Sequence, residues 1–315
     1  MKAIVMHEFG EKDQLKLVDL PMPEPGEGEV LIRVKAIGVN PVDWKIRIGR
    51  LKERVPHQFP LILGWDVAGV IEKVGHGARR FQPGDEIYSY CRRPVVQHGT
   101  YTEYMTLPEC YIAKRPSNIS FEEAAAIPLV GLTAYQSVYS AANLQANETL
   151  LVIGASGGVG SCAVQLGKIR GANVIGVASQ KNHAYLKQLG VDETVGYEDT
   201  SFSESVKALH AEGVDVIFDC VGKEACEMAY DCVKQGGRLV SILEKGNPQR
   251  NEAQGIDFNY IFVEPNVRQL EHLTELVENN QFKIHVDATY PLEEVAKAHE
   301  QIETLHTKGK IVLTV

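Results

Sequence analysis

The sequence predicts an α/β protein in which a doubly wound parallel sheet is joined to a second, β-rich domain. Three observations predict it. The stretch Leu150 to Gly160 reads Leu-Leu-Val-Ile-Gly-Ala-Ser-Gly-Gly-Val-Gly, a short apolar strand running into a glycine turn. From there to about residue 264, apolar strands alternate with amphipathic helices, the pattern of a parallel sheet covered on both faces. Upstream the texture differs: eleven of the fourteen prolines precede residue 130, and they punctuate short strands with few helical patterns between them.

Composition narrows the classes of function. At 315 residues the chain has room for two domains with separate cores. Its net charge of −9, with both signs interspersed, gives no electrostatic footprint for nucleic acid. No apolar run reaches the roughly 18 residues that cross a membrane, and Met1 to Met6 reads as a first strand rather than a signal peptide. The six cysteines form no Cys-x-x-Cys pair, which fits a reduced, cytoplasmic protein without structural zinc.

In the first part, strands are expected at Lys2 to Met6, Leu15 to Leu20, Glu29 to Ile37, Val67 to Val74 and Thr100 to Leu107. The third alternates Val30, Ile32, Val34 and Ala36 on one face with Glu29, Leu31, Arg33 and Lys35 on the other. Ser120 and Glu123 make a capping-box pattern that opens a helix from Ala124 to Ala142, interrupted at Pro128. The domain boundary is placed there, giving residues 1–123, 124–264 and 265–315. The second part has strands at 150–153, 173–178, 193–197, 214–219 and 238–243, with Gly236-Gly237 ending the helix that starts at Glu224. The last 51 residues hold two helices and two strands, too little for a domain, so they are expected to return to the first.

The glycine turn opens a helix whose face is Val159, Cys162, Ala163, Leu166 and Ile169. Strand, tight turn and helix make a phosphate-binding corner, because free N–H groups and the positive helix end point at one anion. Ser156, Gly157, Gly158, Val159 and Gly160 are the candidates for a dinucleotide pyrophosphate. After the second strand the chain reads Ser179-Gln180-Lys181-Asn182-His183, with no acidic residue until Asp192. A carboxylate there would favour a free ribose 2′-hydroxyl, so its absence, with Ser179 and Lys181 present, favours NADPH. Gly154-Ala155-Ser156-Gly157-Gly158 also satisfies Gly-x-Ser-x-Gly, and a serine hydrolase using Ser156 with Asp219 or Asp287 and His299 or His306 is the rival reading.

Asn40-Pro41-Val42-Asp43-Trp44-Lys45, Gly64-Trp65-Asp66-Val67-Ala68-Gly69-Val70, Gly99-Thr100-Tyr101-Thr102-Glu103-Tyr104, Gly131-Leu132-Thr133-Ala134 and Gly309-Lys310-Ile311-Val312-Leu313 resemble the medium-chain dehydrogenase/reductase superfamily. The likeness is to its zinc-independent quinone oxidoreductase (zeta-crystallin-like) branch and runs over nearly the whole chain. It implies a Rossmann domain, a GroES-like catalytic domain built from both chain ends, and a homodimer. Where the zinc enzymes of the superfamily carry their ligands, this chain has Asn40 and Trp65-Asp66. An amide and an indole are poor zinc ligands, so no metal is expected.

Without a Lewis acid, hydride transfer is easiest to an acceptor that spreads the charge itself, a quinone or an α,β-unsaturated carbonyl. The resemblance points to the same substrates. It implies that Asn40 and Asp43 lie on the substrate side, Asn40 as a donor to the substrate oxygen, with Trp44 and Trp65 as cleft walls; the rival reading is that Asn40 and Asp43 only hold a turn. Lys45 and Arg47 are basic candidates or plain surface charge. On the cofactor side Ser179, Lys181 and Tyr197 match the 2′-phosphate positions, Thr133 the nicotinamide end, and Val221-Gly222 the adenine or ribose. Remaining alternatives are a zinc-free alcohol dehydrogenase or carbonyl reductase and a non-catalytic NADPH-binding redox sensor.

Overall fold

A computed structural model describes residues 1–198 and 201–315, which divide into two compact units. One comprises residues 1–129, 264–280 and 284–315, the other residues 130–263 and 281–283.

The strand Glu29–Val39 organises the first unit. Along one edge its first half pairs with Tyr104–Pro108 and its end with Lys310–Thr314; along the other it pairs with Asp66–Val74. Leu31, Ile37 and Val39 are buried along with the expected inward set, so this strand is covered on both faces more than a simple alternation implies. The antiparallel registers set Ile311 opposite Val39 and Ala68 opposite Ala36. Carried a residue or two further, they bring Lys310 to Asn40 and Asp66 to Gly38. Gly38 is required by close approach: a Cβ there would lie 2.3 Å from the Ala125 carbonyl and 2.9 Å from Asp66 Cβ. A second sheet runs Lys16–Asp19, Lys2–Met6, His57–Ile62 and Val96–His98. The chain end thus returns to the first unit, with Val286–Pro291 pairing parallel to Lys310–Thr314.

The second unit is a parallel six-stranded sheet in the order Glu193–Val195, Asn173–Val177, Thr149–Ile153, Val214–Asp219, Val233–Ser241 and Asp257–Tyr260. In chain order this is 3-2-1-4-5-6, the doubly wound dinucleotide arrangement. Leu151, Ile153, Ile175, Val177 and Ile217 fill its core against Phe202, Val206 and Tyr230. The strand order reverses beside Thr149–Ile153, the strand that feeds the glycine turn, which places the turn at the topological switch point.

Two expected elements differ. The helix anticipated over 124–142 is three pieces: Phe121–Ala125, Pro128–Tyr135 and the π-helical turn Gln136–Ala141. Proline lacks the N–H that would continue the first piece and starts the second instead. The helix from Glu224 stops at Ala229, and Gly236-Gly237 lie inside the strand Val233–Ser241, where the pairing with Val214–Asp219 shifts register. Glycines mark a bulge as readily as a helix end.

The closing strand makes a test of the tail's role. Leu313 is fully buried, so Leu313→Ala is expected to cost about 2–5 kcal/mol in urea denaturation although it is two residues from the chain end. A cost below about 0.5 kcal/mol, the range of ordinary surface substitutions, would show that the tail does not complete the sheet.

Candidate functional site

The first unit holds a buried polar centre at the end of its longest strand. Asn40 is the N-cap of the short helix Pro41–Arg47, with extended backbone and Pro41 in the first turn. Its N–H donates to Asp43 Oδ2 at 2.8 Å, fixing the turn. Its side chain also bonds outside that helix. Nδ2 donates to Asp66 Oδ2 at 2.9 Å and to the Gly38 carbonyl at 3.3 Å, and Oδ1 accepts from Lys310 Nζ. Lys310 also donates to the Val39 carbonyl at 2.8 Å and lies 3.6 Å from Asp66 Oδ2. Asp66 accepts the Leu129 N–H at 2.8 Å on its other oxygen. Burial pushes the Asp66 carboxyl up to about 6, and Lys310 and Asn40 pull against that rise.

A second chain of hydrogen bonds reaches Asp43 from the other side. Arg47 Nη1 meets His299 Nδ1 at 3.1 Å, His299 Nε2 meets Tyr101 OH at 3.0 Å, and Tyr101 OH donates to Asp43 Oδ2 at 3.0 Å. Arginine only donates, so His299 accepts at Nδ1 and carries its proton on Nε2. Burial, then the Arg47 charge, lowers His299 to about 3, which keeps it neutral. Arg47 is itself fully buried, with Glu303 at 2.9 Å, so it is structural rather than surface charge. Burial raises the Asp43 carboxyl to about 7, against the bonds from Asn40 and Tyr101. Asp43 Oδ1 has no hydrogen-bond partner among the described residues.

These bonds bear on the residues expected on the substrate side. Asn40 is fully buried, and its amide nitrogen donates to Asp66 and to the Gly38 carbonyl within the chain. The turn-holding arrangement of Asn40 and Asp43 is what the geometry contains. Trp44 and Trp65 are 9% and 4% exposed; Arg50 lies over the Trp44 ring at 5.1 Å and Tyr90 meets Trp65 edge to face at 6.1 Å. Lys45 is half-buried beside Trp44.

In the second unit the turn after Ile153 closes tightly. Gly157 caps the helix Gly158–Ile169, and the first-turn N–H groups of Gly158, Val159 and Gly160 have no acceptor within the helix. A Cβ on Gly160 would sit 2.2 Å from the Gly154 carbonyl, so only glycine lets strand and helix meet this closely. Val221 lies against Gly154, its Cγ2 2.9 Å from where a Cβ would be. Asp219, fully buried, accepts the Val221 and Gly222 N–H groups at 2.9 Å each and the Ser241 hydroxyl at 2.8 Å. Asn182 joins the turn to the second strand's end, donating to Ser156 Oγ and Ser179 Oγ at 3.1 Å each. Ser156, Gly157, Gly158, Val159, Gly160, Ser179, Val221 and Gly222 therefore gather at one end of the sheet. Lys181 and Tyr197 are exposed near it, and Thr133 is buried in the helix Pro128–Tyr135. The corner fits a dinucleotide.

Sequence reading missed an acid here. Asp192 bonds the Val174 N–H and Lys168 at the start of the second strand, but Glu198 Oε1 accepts the Gln180 N–H at 3.0 Å. The parallel register Val177 opposite Val195 sets residue 180 opposite residue 198, and that offset is the signal that could have found it. Both ring nitrogens of His299 are spent on Tyr101 and Arg47, Asp219 holds its own loop, and Asp287 accepts from Gln301.

A dinucleotide-binding oxidoreductase is the class that this sheet and corner define. Residues 26–117 match the alcohol dehydrogenase GroES-like domain and residues 189–313 the zinc-binding dehydrogenase domain. The chain is 34% identical to the NADPH-dependent alkenal/one oxidoreductase, chloroplastic, of Arabidopsis thaliana, over 99% of this chain and 79% of that protein. It is 32% identical to the quinone oxidoreductase of Homo sapiens, over 98% of this chain and 95% of that one. The crystal structure of Escherichia coli quinone oxidoreductase complexed with NADPH superposes over all of both chains with a TM-score of 0.90 at 26% identity. The chain belongs to the medium-chain dehydrogenase/reductase superfamily, in its quinone oxidoreductase branch.

The zinc in that domain description does not fit these residues. At the position of interest an amide, a carboxylate and a lysine ammonium are bonded to one another, and a second cation there would meet the charge of Lys310. Among the described residues no group of three or more His, Cys, Asp or Glu is placed to hold a metal ion, and no helix is long and apolar enough to cross a membrane.

Lys310→Met strips Asp66 of its cation and is expected to cost about 3–5 kcal/mol in urea denaturation, with Asp66→Asn in the same chain recovering part of it. No recovery would mean that the lysine acts through packing alone. Asp43 holds its proton more tightly folded, at about 7, than at the ordinary 3.8 of the unfolded chain. Its linkage therefore favours the fold fully below about pH 4 and is lost as pH rises to about 7. The stability of the wild type relative to Asp43→Asn is expected to fall over that window in denaturation series; a flat difference would contradict the raised carboxyl.

Proposed function

We propose that the chain is a zinc-independent reductase that carries hydride from NADPH to a quinone or to the β-carbon of an α,β-unsaturated carbonyl. The observation that carries this reading is the Lys310–Asp66–Asn40 cluster, which leaves no place for a metal to polarise an isolated carbonyl. A conjugated acceptor needs no such help, because incoming charge delocalises into a hydroquinone anion or enolate. The names of the human and Arabidopsis relatives support the same two substrate classes.

The bound dinucleotide would supply the hydride from its nicotinamide ring. The chain's own residues bind and orient it. N–H groups of Gly158, Val159 and Gly160 meet the pyrophosphate, with Ser156 and Gly157 shaping the turn. Ser179, Lys181 and Tyr197 face the 2′-phosphate, Val221 and Gly222 border the adenosine, and Thr133 stands at the nicotinamide end. In the first unit Asn40 and Asp43 act as positioning residues. They hold the Pro41–Arg47 helix, and with it Trp44, in one geometry without touching the substrate. In this reading the enzyme works as a cytoplasmic homodimer on small molecules.

The test is oxidation of the reduced nicotinamide, followed by its absorbance, with a benzoquinone, a naphthoquinone, an alkenal and a saturated aldehyde, each with NADPH and NADH. Turnover of the conjugated acceptors and not of the saturated aldehyde is expected. Turnover of the saturated aldehyde at a similar rate would favour a zinc-free carbonyl reductase, and saturable NADPH binding without turnover would favour a redox sensor.

A further inference from the structure

The adenosine end of the corner contains a carboxylate that its own strand does not supply. Ser179 caps the short turn Gln180–Asn182 directly after the second strand. The first N–H of that turn belongs to Gln180, and Glu198, three residues past the third strand, accepts it at 3.0 Å. The same carboxylate accepts the Tyr197 N–H at 3.3 Å on its other oxygen. A Cβ on Gly196 would meet Glu198 Oε2 at 3.3 Å, Gln180 Cγ at 3.6 Å and His183 Cε1 at 3.9 Å, so acid, turn and imidazole crowd one small space. The strand ends are fastened there by the Ala178 N–H on the Val195 carbonyl at 3.1 Å. Asn182 links Ser179 to Ser156 of the glycine turn, which ties this space to the pyrophosphate corner.

We propose that Glu198 is a specificity-determining residue for the cofactor, one that weakens the preference for a 2′-phosphate and admits a free 2′-hydroxyl. The inference rests on the reading that the glycine corner holds the dinucleotide and that Ser179 to Lys181 face its adenosine ribose. A carboxylate beside a ribose accepts hydrogen bonds from the free hydroxyl and repels a phosphate. Here it comes from the neighbouring strand's loop rather than from the end of the second strand itself. Its effect opposes that of Lys181 on the same turn. A backbone N–H at the start of a turn is a natural phosphate donor, and the Glu198 oxygen already holds the one on Gln180. A 2′-phosphate must displace that oxygen and bear its charge, whereas a hydroxyl can donate to it.

The measurement is calorimetric binding of 5′-AMP and of 2′,5′-ADP, which differ only by the 2′-phosphate, to the full chain. Wild type is expected to bind the two within about tenfold of each other. Glu198→Gln keeps an acceptor and removes the charge, and should shift the ratio of affinities toward 2′,5′-ADP by about tenfold, as expected for relieving one like charge at a partly exposed site. Glu198→Lys should move it further the same way, so a misfolded single variant does not decide the matter. Both nucleotides binding with a ratio unmoved by either substitution would overturn this inference and leave the cofactor reading standing. Binding of neither nucleotide, with NADPH also failing to bind, would overturn both.

Discussion

The Lys310 ammonium, held between the Asn40 amide, the Asp66 carboxylate and the Val39 carbonyl, is the interaction on which the first unit's polar centre depends. Taking an ion pair out of water costs several kcal/mol per ion, and attraction repays it only when the remaining hydrogen-bonding capacity is met. Here Asp66 also receives N–H groups from Leu129 and Asn40. The pair therefore adds little net stability and a great deal of definition. It fastens the strand Lys310–Thr314 to the helix that Asn40 caps, across nearly the whole sequence. It also commits the Asn40 amide, so that the neighbouring turn is held instead by Asp43. Asp43 in turn is reached by the donors running from Arg47 through His299 and Tyr101.

This arrangement bears on chemistry through charge. A metal centre needs converging anionic or imidazole ligands around an empty space. In this chain the convergence is already filled by a cation of its own, with one carboxylate and neutral oxygens around it. The family's Lewis-acid chemistry has no anchor there. The glycine corner is built by Gly160's approach to Gly154 and by Asp219's grip on the Val221-Gly222 loop.

What could be read from the sequence was what short-range pattern encodes. The strand into the glycine turn, the helix after it and the alternation downstream are local periodicities, and the structure contains them. The capping box at Ser120 is present as read, with Ser120 Oγ accepting the Glu123 N–H. Gly236-Gly237 misled because a glycine pair serves a bulged strand and a helix end alike. Lys310 and Glu198 escaped for a different reason: each owes its position to strand register, 310 against 40 and 180 against 198. No local pattern carries a register. Asn40 was legible as important, but its side-chain partners were not: Asp66, which accepts from its amide, and Lys310, which donates to it, lie 26 and 270 residues away.

The claim that a lysine stands where a metal would is tested most directly by elemental analysis of the chain produced with zinc in excess. Turnover would be followed before and after chelation. The account predicts zinc far below stoichiometric and turnover unchanged by the chelator. Stoichiometric zinc whose removal abolishes turnover would contradict it.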